Sequence, residues 1–175
     1  MPDPAPNPFA ELGLDPRFDL ERPAIDRAYA SRAAAIHPDL ADPDRADDAT
    51  RDSARLNDAR ATLADPERRA VALLALLGGP GASEDRSLPD GFLMDMMDTR
   101  QRAEEECVTP EGHAKWRAWA DDRRAERIDQ VRALFSGLAD PPDAGALAEI
   151  RKTLNAWRYV ERMIEQLDPD HVPPM

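Results

Sequence analysis

The chain has 175 residues, with 35 acidic against 23 basic side chains, a net charge of −12 and a mean hydropathy of −0.64. That length holds one ordinary domain or two small ones. Both halves are acidic, which argues against nucleic acid or an anionic membrane as partner, because phosphate binding needs a concentrated basic surface.

No run reaches the ~20 apolar residues of a membrane helix; the longest, Ala70 to Leu77, ends at Gly78-Gly79. The proline-rich, acidic start has neither the layout of a signal peptide nor that of a transit peptide. With Cys107 as the single cysteine, no intrachain disulfide forms and a cytoplasmic location is expected.

Strand signals are nearly absent, and the expected class is all-α. A short helix starts at Pro8 behind an Asn7 cap and stops at Gly13. A second starts at Arg22-Pro23, carries Ile25, Tyr29, Ala33 and Ile36 as one apolar stripe, and stops at His37-Pro38. After a polar loop, a third helix runs from about Asp47 to Ala64 with the stripe Ala49, Leu56, Ala59 and Leu63. Asp65 then caps a fourth, Pro66 to Leu77.

Gly78-Gly79-Pro80-Gly81-Ala82-Ser83 reads as a linker and lacks the lysine and strand context of a phosphate loop. Three longer helical patterns follow, Asp90 to Val108, Thr109 to Leu138 and Pro142 to Leu167. Short connections imply an antiparallel three-helix bundle. The expected division is a helical domain at 1–77, a linker at 78–89 and the bundle at 90–175.

On the Asp90–Val108 helix, Phe92, Met96, Thr99, Ala103 and Cys107 fall within an arc of roughly 80°, the bundle-facing stripe. Leu93, Met94, Met97, Asp98, Gln101 and Glu105 centre about 150° away. Three large apolar residues off the core stripe suggest a partner site; the alternative is that Leu93 and Met97 pack on the third bundle helix. Tyr159 likewise falls off the Leu147–Ile150–Leu154–Trp157 stripe.

His37-Pro38-Asp39 is a weak signal alone, but its surroundings are specific. They comprise Asn7-Pro8-Phe9, Leu12-Gly13-Leu14, Tyr29, Leu56-Asn57-Asp58-Ala59 and Leu63-Ala64-Asp65-Pro66, a set that resembles J domains. Arg68-Arg69-Ala70, Leu73-Leu74, Leu88-Pro89-Asp90 and Phe92-Leu93-Met94 narrow the resemblance to the HscB family of iron–sulfur co-chaperones, over roughly Asn7 to Leu167. The resemblance implies a J domain (a helical hairpin with short flanking helices) linked to a C-terminal three-helix bundle. It implies no enzyme activity and no cofactor.

By that resemblance, His37, Pro38 and Asp39, with Arg27 and Arg32, contact a DnaK/HscA-type chaperone and stimulate its ATPase. Leu93, Met94, Met97, Asp98, Gln101, Glu105 and Tyr159 contact the IscU-type iron–sulfur scaffold. The tripeptide has a physical logic of its own: proline fixes φ and ends the helix, so a carboxylate on a rigid corner is presented to a partner arginine. This sequence departs from the family in having Leu40-Ala41 after the tripeptide, few basic residues just before it, and Arg60 where an aromatic is common. These changes weaken the electrostatic part of chaperone docking.

A general J protein serving other clients would need a strand-rich substrate domain, a Gly/Phe-rich region or zinc-binding cysteines, and none is visible. An acid–base enzyme built on His37 and Asp39 lacks a second set of polar groups to enclose a substrate. His113 and His171 stand without zinc-ligand spacing. Cys107 reads as a small buried hydrophobe, and Trp116, Trp119 and Trp157 as bundle core.

Overall fold

The computed structural model describes residues 7–36 and 46–167, which form seven helices and, among those residues, no strand. They divide into two compact units, 1–77 and 78–175. His37, Pro38 and Asp39 lie outside the described residues, as does His171.

In the N-terminal unit, α1 (Pro8–Leu12) is defined by its ends. The Asn7 carboxamide oxygen accepts the N–H groups of Phe9 and Ala10 at 3.1 and 3.2 Å. Gly13, at φ 67°, lets its own N–H and that of Leu14 return to the Ala10 and Phe9 carbonyls at 3.0 and 2.9 Å, a left-handed cap that a Cβ disfavours. Phe9 and Leu12 are buried.

α2 (Arg22–Ala35), α3 (Ala46–Ala64) and α4 (Pro66–Leu76) follow, and α1, α2 and α4 all pack on α3. Leu56, Ala59 and Leu63 form the buried stripe of α3, and Ile25 is the fully buried residue of α2. Tyr29, Ala33 and Ile36 are only half-buried, because a polar clasp occupies much of the α2–α3 contact. Arg60 donates to Asp26 at 2.9 Å and lies 5.0 Å from the centre of the Tyr29 ring, while the Tyr29 hydroxyl donates to Asn57 at 2.8 Å. Where an aromatic was expected, a guanidinium thus stacks on the tyrosine face.

Asp65 caps α4 by accepting the Arg68 N–H at 2.9 Å. The buried Arg69 donates to the Leu63 carbonyl at 2.6 Å and lies 5.2 Å from the Phe18 ring centre. Its charge is held against backbone oxygen and an aromatic face inside the domain.

The C-terminal unit contains α5 (Phe92–Glu106), α6 (Pro110–Ser136) and α7 (Ala144–Leu167). α5 starts two residues later than the sequence pattern suggests, because Gly91 adopts φ 76° and ends the preceding turn. Thr109 caps α6 through the Gly112 N–H at 3.0 Å, and the Asp143 carboxylate accepts the Ala146 N–H at 3.0 Å as α7 begins. Trp116 at the start of α6 donates to Glu106 at the end of α5, whereas Arg127 further along stacks over Phe92 at the start of α5. Those pairings make α5 and α6 antiparallel.

Phe92, Met96, Ala156, Val160 and Met163 share one buried cluster, with Leu88 and Trp119 packed against it. The non-helical approach to α5 is therefore anchored at its end. Asn155 on α7 donates to the carbonyls of Asp85 and Ser87, both at 3.0 Å, so the stretch at 85–88 is held on the packed unit.

Two expected members of the α5 core stripe differ. Thr99 is half-buried and donates its hydroxyl to the Asp95 carbonyl. Cys107 is the half-buried C-cap rather than a core residue, since α5 has already ended at Glu106.

α6 and α7 are clamped by Arg124, which holds Glu161 through Nε and Nη2 at 2.8 to 2.9 Å, while Trp157 donates to the same carboxylate at 3.1 Å. Glu161 is only 13% exposed. Replacing Glu161 with alanine takes the acceptor from the Trp157 indole N–H and leaves the half-exposed Arg124 with its longer contact to Asp121 at 3.5 Å, an expected loss of about 1–2 kcal/mol. A thermal melt should show the drop; an unchanged midpoint would refute the clamp.

Candidate functional site

α5 shows two faces. Phe92, Met96 and Ala103 point into the bundle, while Leu93, Met94 and Met97 are 49%, 68% and 66% exposed. Asp98, Gln101 and Glu105 continue the outward face and are exposed. Leu93 and Met97 thus do not pack away on the third bundle helix.

Tyr159 of α7, 39% exposed, stands across from this face, its ring edge-on to Phe92 with centroids 5.6 Å apart. That contact fixes an aromatic with one side packed and the other open.

A groove of ≈ 550 Å³ runs between α5 and α7. Of the seven residues assigned to this surface from sequence, it brings Met97, Asp98, Gln101 and Tyr159 together along its walls. Leu93, Met94 and Glu105 are outward-facing on α5 but do not line it. Glu105 accepts a hydrogen bond from the Gln101 carboxamide at 3.1 Å.

The groove has contributors that sequence reasoning missed: Arg100, Glu104 and Arg162. Arg100 and Glu104 pair at 2.7 Å. Arg162 follows Tyr159 by three residues, a helical neighbour on the same face; that spacing was the available signal.

In the other unit, Arg27 and Arg32 are both exposed on α2. Five residues apart, they point about 140° away from each other, so the helix does not bring them onto one patch. Arg32 lies against Gly13; a Cβ there would come within 2.5 Å of its Nη2.

Burial pushes the Cys107 thiol up, and the adjacent Glu106 charge adds to the shift, which disfavours the thiolate that nucleophiles and metal ligands require. Among the described residues no cluster of His, Cys, Asp and Glu could hold a metal ion. Nor, among them, is any helix long and apolar enough to cross a membrane.

Comparison with known proteins decides the assignment. The chain is 31% identical to the co-chaperone protein HscB homologue of Burkholderia thailandensis over 163 residues, covering 91% of this chain and 90% of that one. The chain belongs to the HscB co-chaperone family. The homologue from Paraburkholderia phymatum is 29% identical over the same span. No family model matches the chain.

The crystal structure of human co-chaperone HscB superposes with a TM-score of 0.78 at 21% identity, over 95% of this chain and 83% of that one, a likeness of fold. HscB from Vibrio cholerae gives a TM-score of 0.62 at 27% identity, over 93% and 99%. The HscB architecture of a J domain followed by a helical bundle accounts for the two units. HscB relatives are co-chaperones, a non-enzyme class.

Proposed function

We propose that this HscB-family chain is a two-ended adaptor. Its N-terminal unit stimulates the ATPase of a DnaK/HscA-type chaperone through His37, Pro38 and Asp39, aided by Arg27 and Arg32. Its C-terminal unit carries an IscU-type iron–sulfur scaffold on the α5–α7 face and delivers it to that chaperone, promoting cluster assembly and transfer.

The observation that carries the reading is the exposed apolar face of Leu93, Met94 and Met97 beside the half-open Tyr159, held on rigid helices whose opposite sides form the core. A surface of this kind gains by being covered, and methionine adapts to an irregular partner surface. At the other end, support comes from the tripeptide's place in the chain between α2 and α3. Those two helices are joined by the Asp26–Arg60 and Tyr29–Asn57 contacts, a stiff pair on which to mount a short recognition segment.

The direct test is ATPase stimulation of DnaK-class chaperones with and without scaffold. Wild type should stimulate and the scaffold should add to the effect. Asp39→Asn, which removes the charge that an arginine would grip, should abolish stimulation while leaving scaffold affinity unchanged. Salt should alter wild-type stimulation only mildly, given the sparse basic residues around the tripeptide. No stimulation by wild type with any candidate chaperone refutes the proposal.

A further inference from the structure

The α5–α7 groove contains an asymmetry of charge that the core contacts do not explain. Four charged side chains line it: Asp98, Arg100, Glu104 and Arg162. Arg100 and Glu104 neutralise each other at 2.7 Å. Asp98 and Arg162 are exposed, and among the described residues no hydrogen bond or ion pair engages either side chain.

Among the described residues, then, one anion on α5 and one cation on α7 stand on the two walls without a partner. Met96, Met97, Tyr159 and Met163 line the same groove. In a chain of net charge −12, a guanidinium without a described partner beside the exposed Met97 and Tyr159 is out of keeping with the surrounding field.

An occupant of the groove would strip water from both charges, and each would then cost free energy unless met by an opposite charge. Opposite charges at fixed positions also set the register in which a partner segment can lie, and exclude segments of the wrong polarity.

We propose that Arg162 is a specificity-determining residue that captures a carboxylate of the bound scaffold protein. The inference rests on the proposed function of this face and adds a residue and a chemical requirement to it. The scaffold segment lying across Met97 and Tyr159 carries an aspartate or glutamate where it meets α7, and presents no carboxylate to Asp98. The planar guanidinium favours two-point capture. Because Arg162 is exposed and engaged by nothing described, its substitution should leave folding intact.

The test uses the full chain and the metal-free IscU-type scaffold of the same organism, with affinity measured across ionic strengths. Arg162→Glu is expected to weaken binding about tenfold or more at low salt and to flatten or reverse the salt dependence. Arg162→Gln should fall between, and Arg162→Lys should stay within about threefold of wild type, retaining charge but losing the fork. Reversing the scaffold's surface carboxylates to lysine one at a time should identify one that restores Arg162→Glu.

Wild-type affinity for Arg162→Glu at low salt, or no rescue by any reversal, would overturn the inference while leaving the proposed function in place. Failure of the wild-type chain to bind the scaffold overturns both. Chaperone ATPase stimulation without scaffold should be the same for every variant at this position; a loss there would mean damage beyond the groove and would also count against the assignment.

Discussion

Substituting Leu93, Met97 and Tyr159 together with alanine should cost scaffold affinity on the order of 100-fold to 1000-fold and leave scaffold-free ATPase stimulation unchanged. The magnitude follows from area. Full burial of such a side chain is worth about 1.5–3 kcal/mol. These three are already partly covered in the free protein, at 49%, 66% and 39% exposed, so each has roughly half of that left to gain from a partner. The sum is roughly 3–4 kcal/mol, at about 1.4 kcal/mol per factor of ten. Titration calorimetry with metal-free scaffold checks the affinity.

Tyr159 also makes the edge contact with Phe92, worth about 0.5–1.5 kcal/mol to the bundle itself. A melting curve must therefore accompany the measurement, and Leu93→Ala with Met97→Ala serves as the variant that leaves that contact intact. Unchanged scaffold affinity in the triple variant would defeat the scaffold-binding assignment of this face.

The second large effect is expected at Gly112, where local propensity and packing predict opposite signs. Gly112 is the third residue of α6, and alanine there would by helix preference alone stabilise the chain by about 1 kcal/mol. In the folded protein a Cβ at Gly112 would collide with the Glu106 carbonyl oxygen, the backbone at the end of α5. Nothing flexible can yield. Glu106 is itself tied to α6 by Lys115 and Trp116, and that bonding, with Lys115 foremost, holds its carboxyl below the ordinary value.

Opening the α5–α6 corner should outweigh the propensity gain, for a net loss of at least about 2 kcal/mol. At roughly 4–8 °C per kcal/mol for a unit of this size, the corresponding transition should fall by about 10 °C. A melt that is unchanged or raised would show that the corner relaxes freely.

These two predictions separate what patterning reveals from what it hides. Hydrophobic periodicity placed Phe92, Met96 and Ala103 inside and left Leu93, Met94 and Met97 outside, because a helix turns each residue by a set angle and three buried positions suffice to define the rest. The caps at Asn7 and Asp65 were equally legible, being bonds made within three residues of the side chain that forms them. Gly112 gave no such signal, since its constraint comes from a carbonyl on another helix. Nor did Asn155, whose two acceptors lie 68 and 70 residues away, with the result that part of the apparent linker proved to be held on α7.

The sequence by itself determined the all-helical class, the seven helices near their observed bounds, the two-faced character of α5 and the resemblance that the relatives then established. All of these depend on short-range periodicity, capping chemistry or short contiguous motifs. Only the tertiary structure decided that Arg60 stacks on Tyr29 in place of an aromatic, that Cys107 stands at a helix end with a raised thiol, and that Arg162 faces the Met97–Tyr159 groove without a described partner. Each of those is set by which side chains the packing of separate helices brings together, and the chain's local pattern does not encode the distance between them.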